Sequence, residues 1–265
     1  MFQPQTFAPV VPPPIAAGEP IWVDLITPAP QAARDFYAAL FGWEYQLWEE
    51  MGGYATAHRA GNKVAGISPP PPQGLKGSPG WRVSFASEDI HADAARIAAL
   101  GGHTESGPMQ IGNQGHMGQF SDPDGASFGL WQDDRHGGFA AYDGPGRLVW
   151  AEVNTRNAEG AVDFYASVLG ATSTPMPQGT YHTLQHGGQS FAGVSGNAQN
   201  WNAVGAAGWM VYFYADDVDQ TVQRAEQAGG KVLVPPFDMD FGRMAVLSDP
   251  AGAVFSVMNP RPAGA

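Results

Sequence analysis

The sequence predicts an α+β fold of two similar tandem domains, each holding two β-α-β-β-β units. Three observations carry that expectation. First, "PIWVDLI" at 20–26 is rewritten as "RLVWAEV" at 147–153, and each runs into a helix-like stretch, "AARDFYAALFGW" and "GAVDFYASVLGA". Second, a shift of 128 residues aligns Trp22 with Trp150 and Phe36-Tyr37 with Phe164-Tyr165. With single-residue slips the register also aligns Gly66 with Gly193, Trp81 with Trp209, Asp89 with Asp217, and "SDPDGASF" (121–128) with "SDPAGAVF" (248–255). A register kept over a whole repeat is the mark of a duplicated domain. Third, each half writes an alternating strand followed by a helix-period segment twice, as "WVDLI" and "WRVSF" show in the first half.

The elements follow in order. Residues 1–18 form a Pro-rich arm, and the first domain is expected over 19–132. Its first helix, about 30–40, sets Ala33, Phe36, Tyr37 and Leu40 on one face. "YATAHRAGNKVAGIS" reads as a hairpin, and the Pro-rich run at 68–80 joins units one and two. The second helix, about 90–100, groups Ile90, Ala94, Ile97 and Leu100 and stops at "GG". "DPDG" and "DPAG" read as tight turns, since no run of alternating acids makes them calcium loops. "DRHGGFAAYDGPG" reads as a linker, so 133–146 separates the first domain from a second over 147–259, and a tail follows at 260–265. Residues 196–208 join units three and four.

Composition narrows the function. With 43% apolar residues the chain can bury a core. A net charge of −12, with 13 Lys and Arg and no run of them, argues against a nucleic-acid partner. No apolar stretch of about 18 residues is present to cross a membrane, and the N-terminus lacks the basic start and apolar run of a signal peptide. The absence of Cys removes disulfide and thiolate chemistry and fits a cytoplasmic protein. There is no nucleophile elbow and no dinucleotide fingerprint.

On "DFYAALFGW", "DFYASVLGA", "DPDGASFGLWQ" and "DPAGAVFSVMN", with the spacing between them, the chain resembles the vicinal oxygen chelate superfamily. That superfamily includes glyoxalase I, bleomycin-resistance proteins and extradiol dioxygenases, and the likeness extends over 19–259, most of all to two-domain bacterial glyoxalase-like proteins. The resemblance implies paired units whose curved mixed sheets form a cup, with helices outside. It also implies a divalent metal in the cup, held by residues of the first and last strands of paired units. Those positions fall here on Trp22, Trp150, Gly129 and Ser256, with Trp81 and Trp209 for the second units and Gly66 and Gly193 nearby. None is a metal ligand, because an indole offers only an N–H donor. His58, His91, His103, His116, His136, His182 and His186 match no ligand position, although His58, His116 and His182 fall on expected strands. No metal and no cofactor are therefore expected.

Alternation along the first strands puts Trp22, Asp24 and Ile26 on one face, and Trp150, Glu152 and Asn154 on its counterpart. The family geometry makes this the concave face. Each Trp either fills the space a metal would take or forms a wall for a planar ligand. Asp24 and Glu152, the candidate acid–base residues, either face a wet cavity or pair with a cation. Asp24 with His116 and Glu152 with Arg243 are the candidate pairs. The expected ligand-binding set is thus Trp22, Asp24, His58, His116, Trp150, Glu152, Asn154 and Arg243. The expected function is metal-free binding of a small aromatic or amphipathic molecule, of the resistance or sequestration type, by a monomer or homodimer. The alternative is a glyoxalase-like lyase, dioxygenase or hydroxylase using Asp24 or Glu152 as acid or base, or a metal held at a site the ligand positions do not reveal.

Overall fold

The computed structural model describes residues 15–70, 79–139, 144–176, 180–196 and 208–261. Domain 1 comprises β1 (Pro20–Ile26), α1 (Pro30–Phe41), β2 (Glu44–Trp48), β3 (Tyr54–Arg59), β4 (Asn62–Ser68), β5 (Gly80–Ala86), α2 (Ile90–Ala99), β6 (His103–Ile111), β7 (Gly115–Ser121) and β8 (Ser127–Asp133). Domain 2 repeats the series as β9 (Leu148–Asn154), α3 (Ala158–Leu169), β10 (Thr172–Pro175), β11 (Tyr181–His186), β12 (Gln189–Ser195), β13 (Gly208–Tyr214), α4 (Val218–Gln227), β14 (Lys231–Met239), β15 (Gly242–Ser248) and β16 (Val254–Pro260). Each half is one eight-stranded mixed sheet, in the orders β2-β3-β4-β1-β5-β8-β7-β6 and β10-β11-β12-β9-β13-β16-β15-β14. The first strand of every unit pairs parallel with its last, and β1–β5 and β9–β13 join the units antiparallel. The two units of a half therefore share one sheet, and the expected α+β arrangement of two tandem cups holds.

The helices form where local chemistry supports them. Pro30 opens α1, where its missing N–H costs nothing, and Gly42 closes it in the left-handed conformation. Asp89, Asn157 and Asp217 cap α2, α3 and α4 by accepting from backbone N–H groups of the first turn.

Register fixes which residues face the helices. Val23 pairs with Val83 and Leu25 with Trp81, and all four are buried on the helix side of the sheet. Trp81 donates from Nε1 to Tyr37 Oη at 2.9 Å, and Trp209 to Tyr165 Oη at 3.0 Å. The expectation that Trp81 and Trp209 occupy the inner face is thus corrected: a one-residue difference in strand alignment moves a side chain to the opposite face. The inner positions of β5 and β13 opposite the last strands are Ser84, which pairs with Gly129, and Tyr212, which pairs with Ser256.

The duplicated motifs meet across the domains. Phe36 and Tyr37 of α1 pack on Phe255 at 6.2 and 5.4 Å between ring centroids. Reciprocally, Phe164 and Tyr165 of α3 pack on Phe128 at 6.1 and 5.4 Å. Asp122 Oδ1 accepts from the N–H groups of Asp124 and Ala126, forming the tight turn, while its Oδ2 accepts from Tyr165 at 3.0 Å. Asp249 builds the matching turn with Ala251 and Ala253, and Tyr37 lies within its electrostatic reach. Between these contacts β5 and β13 touch, with Trp81 against Phe213 at 5.0 Å and Phe85 against Trp209 at 4.9 Å. One hydrophobic cluster therefore runs through both halves.

The expected arm and linker are partly packed. Gly18 N–H donates to Ala86 O, and Phe139 N–H donates to Ile21 O. Residues 1–14 and 140–143 lie outside the described residues.

Because the halves share one core, the chain should unfold in a single cooperative transition. Tyr165→Phe, which strands the Asp122 carboxylate, should cost about 1–3 kcal/mol in chemical denaturation. Two separated transitions, or an unchanged midpoint, would contradict the shared core.

Candidate ligand-binding cups

Each inner face carries the same polar knot on its first strand. In domain 1, Trp22 Nε1 lies 3.1 Å from Asp24 Oδ1 and 3.0 Å from Tyr54 Oη, and donates to both. Tyr54 in turn donates to Asp24 Oδ1 at 2.8 Å. The knot sits directly over Gly66, the strand partner of Asp24. A Cβ there would fall 2.0 Å from Tyr54 Oη and 2.1 Å from Asp24 Oδ1, so only glycine leaves room. In domain 2, Trp150 Nε1 donates to Tyr181 Oη at 2.9 Å, above Gly193. Glu152 accepts from Tyr212 at 3.1 Å, and Tyr181 and Asn154 lie within its electrostatic reach.

Burial pushes both carboxyls above their ordinary range. For Asp24 the hydrogen bonds from Tyr54 and Trp22 and the Arg82 charge partly offset desolvation. For Glu152 the offset comes from Tyr181, Tyr212 and Asn154. These carboxylates are the groups in each cup most able to hold or transfer a proton.

Around the two knots the cups differ. Arg82 stands opposite Asp24 on β5, flanked by Gln119 on β7 and Glu105 on β6. The position opposite Glu152 is Met210. Val246 takes the place of Gln119, Leu233 that of Glu105, and Tyr212 that of Ser84. Tyr212, Met244 and Val246 form a second apolar cluster, joined by the part-buried Trp150, Met210, Leu233, Phe237 and Met258. The inner face of domain 1 is polar and charged, and that of domain 2 is apolar with one buried acid.

The structure brings only some of the expected site residues together. Trp22, expected as a ligand wall, is 4% exposed. His136 packs on its ring edge-on at 4.5 Å and Phe139 at 5.4 Å, so residues of the expected linker cover it. Burial and the nearby Lys63 charge lower the His136 pKa to about 4, and His136 Nδ1 accepts from Gly138 N–H at 3.2 Å. Trp150 is half-buried, and Asn154 is buried beside Glu152. His58 faces inward on β3 but stands four residues from Tyr54, roughly 13 Å along the strand.

His116 and Arg243 are corrected. Their strands carry Met117 and Met244 inward, which turns both residues to the helix side. His116 pairs with Gln132, whose Oε1 caps the N–H of Ile90 at the start of α2. Arg243 binds Asp219 of α4 at 2.6 and 2.9 Å. Neither can pair with Asp24 or Glu152. His182 likewise turns outward, to Glu159 of α3.

Sequence reasoning missed Tyr54 and Tyr181. The same one-residue slip that aligns Gly66 with Gly193 aligns them too, and was the available signal. It also missed Arg82, whose counterpart in the other repeat is a methionine and so leaves no repeated signature.

No cluster of three or more His, Cys, Asp or Glu side chains suited to a metal occurs among the described residues. At the sheet centre Asp24, Gly66, Ser84 and Gly129, or Glu152, Gly193, Tyr212 and Ser256, supply one carboxylate each. A divalent ion needs a fuller donor set, and these residues do not fit one. A separate cavity of about 280 Å³ lies between α1 and α4, lined by Arg59, Tyr214 and Arg224 among others, and borders neither knot. No helix among the described residues is long and apolar enough to cross a membrane.

The family model for the glyoxalase/bleomycin resistance protein/dioxygenase superfamily matches residues 20–130 and again 147–257. The chain belongs to this superfamily. A Mycobacterium tuberculosis protein, CFP32, which carries a provisional glyoxylase label, is 39% identical over 258 residues, covering 92% of this chain and 96% of that protein. The anthracycline biosynthesis protein DnrV of Streptomyces peucetius is 35% identical over 263 residues, covering 93% and 94%. Among solved structures, the Mn(II)-bound glyoxalase of Novosphingobium aromaticivorans superposes with a TM-score of 0.65 at 18% identity, covering 92% of this chain and 82% of that one. The 2,3-dioxygenase LapB of Pseudomonas sp. KL28 gives 0.63 at 15%, covering 94% and 96%. At those identities the likeness is one of fold.

A glyoxalase-superfamily cup with a buried acid should show it in pH-dependent stability. The folded pKa of Glu152 lies above its ordinary 4.5, so the fold binds this proton more tightly than the unfolded chain does. That contribution is fully present below the unfolded value and is lost as pH rises through the folded one. Glu152→Gln keeps the shape and removes the charge, so the variant should gain on the wild type as pH rises from about 4 to 8. Denaturation series across that range measure the gap. A constant gap, or one that moves against the variant, would contradict a desolvated Glu152.

Proposed function

We propose that the chain binds a planar, largely apolar small molecule in the cup of domain 2, without a resident metal, and grips one polar group of that ligand with Glu152. One observation carries this reading: a sheet face lined by Trp150, Met210, Tyr212, Met244, Val246 and Met258 surrounds a single buried carboxylate. Small-molecule sites pair apolar walls with a few polar groups that fix orientation. Methionine side chains adapt to flat ligands, and their sulfur favours aromatic edges. Two relatives support a fused-ring ligand, since DnrV and its Streptomyces sp. counterpart DauV, 33% identical, are named anthracycline biosynthesis proteins.

A second reading rests on Glu152 itself. A carboxyl raised by burial, hydrogen-bonded by Tyr212 and influenced by Tyr181, is suited to general acid–base work on a bound ligand. Binding precedes either role, so binding is the property to test first.

The test uses 1,8-dihydroxyanthraquinone as probe. It should quench tryptophan fluorescence saturably, because Trp150 lines the cup. Met210→Arg, which places the domain 1 residue opposite Glu152, should weaken binding about tenfold or more, because the guanidinium occupies the carboxylate that grips the ligand and puts a charge among apolar walls. Arg82→Met should leave the titration unchanged. No saturable quenching, or equal loss in both variants, would refute the assignment to domain 2.

A further inference from the structure

The structure assigns domain 1 a second and chemically different ligand site: Arg82 and Asp24 form a donor–acceptor pair that takes a neutral molecule presenting a carbonyl oxygen beside an N–H, as in a cyclic amide or imide. This inference stands apart from the reading of domain 2.

Arg82 and Asp24 are direct cross-strand partners on the inner face of the sheet. The Cα atoms of such partners lie about 5 Å apart, and the two side chains interact by charge without forming a direct ion pair, which leaves both to a ligand between them. Arg82 is 7% exposed, yet among the described residues its single hydrogen bond of ordinary length is from Nη1 to Gln119 Oε1 at 3.0 Å. Glu105 Oε2 stands at 3.8 Å, beyond hydrogen-bond reach, while its other oxygen accepts from Ser127 Oγ at 2.6 Å. A guanidinium has five donors, and the remaining ones here bond to no other side chain among the described residues and are not sealed from solvent, so they are available to a ligand. Asp24 shows the complementary deficit. Both of its hydrogen bonds converge on Oδ1, from Trp22 and Tyr54, which leaves Oδ2 as an open acceptor on a part-exposed side chain.

Charge selects the ligand class. Two carboxylates, Asp24 and Glu105, already surround the one guanidinium. A further anion would meet both acids, and a cation would meet Arg82. A neutral edge meets neither penalty: its carbonyl oxygen accepts from Arg82 and its N–H donates to Asp24 Oδ2. Ser84 and Gln119, both buried on the same face, supply further polar contacts.

The duplicate domain shows that the fold does not need this cluster. Met210, Leu233 and Val246 stand at the equivalent positions of the second sheet to Arg82, Glu105 and Gln119 in the first. Replacing a buried ion pair with apolar side chains is commonly neutral or stabilising. Retaining a largely buried guanidinium with donors left open toward the inner face therefore points to a ligand that takes them.

Uracil is a suitable probe, with 1,3-dimethyluracil as the control that keeps the carbonyls and loses the N–H groups. Calorimetric titration of the full chain should show saturable binding of uracil and none of the control. Arg82→Met, the residue that domain 2 carries, should weaken uracil binding about tenfold or more, with a lower melting temperature because Asp24 and Glu105 lose their cation. Arg82→Gln serves as a second variant should the first fail to fold. Asp24→Asn turns the open acceptor into a donor and should weaken binding similarly. The inference is overturned if wild type does not bind uracil, if it binds 1,3-dimethyluracil equally, or if folded Arg82 and Asp24 variants bind as wild type does. Because the anthraquinone titration reads a different cup, its failure leaves this test untouched.

Discussion

The rest of the molecule depends on the reciprocal docking of each domain's Phe-Tyr helix onto the other domain's Asp-Pro turn. Tyr165 hydrogen-bonds to Asp122, and Phe164 and Tyr165 cover Phe128. Phe36 and Tyr37 repeat the contact against Phe255 and Asp249. Two rings and a phenol per side bury enough apolar surface that losing one ring would cost about 3–5 kcal/mol. The contact commits the helix-bearing face of each sheet to the partner domain. Among the described residues, the opposite, inner faces are left free of the partner domain, and they are the faces that carry the Trp–carboxylate knots.

Within that frame, the duplication supplies its own control. The Trp–carboxylate–Tyr knot over glycine is kept in both cups, down to the close approach over Gly66 and Gly193. The second half of each cup is free to vary, because β5 to β8 and β13 to β16 pair through backbone bonds that do not depend on inner side chains. One copy has become charged around Arg82, the other apolar around Met210. A protein with two copies of one cup can present two different chemistries without altering its fold.

Much of this was legible in the sequence, and the gaps have physical causes. The Phe-Tyr and Asp-Pro marks were visible because both copies keep the docking contact, although their role across domains could not be seen from adjacency along the chain. Asp24 and Glu152 were legible because a carboxylate on an apolar strand breaks the expected pattern. Trp81 and Trp209 were misplaced because a strand shifted by one residue reverses its faces, and periodicity alone does not fix register. His116 and Arg243 failed for the same reason. The choice between filler and ligand wall for Trp22 was not legible, because the covering residues, His136 and Phe139, belong to a Gly-rich segment with the composition of a linker. Arg82 was invisible to a search for repeated residues, since its importance lies in the repeat being broken.

The most direct test of the account is a crystal structure of the full chain soaked with 1,8-dihydroxyanthraquinone. The account predicts the fused rings in the domain 2 cup, against Met210, Tyr212, Met244 and Met258, with a ligand oxygen within hydrogen-bond distance of Glu152. Rings seated instead over Arg82 in domain 1, or in the crevice between α1 and α4, would contradict it.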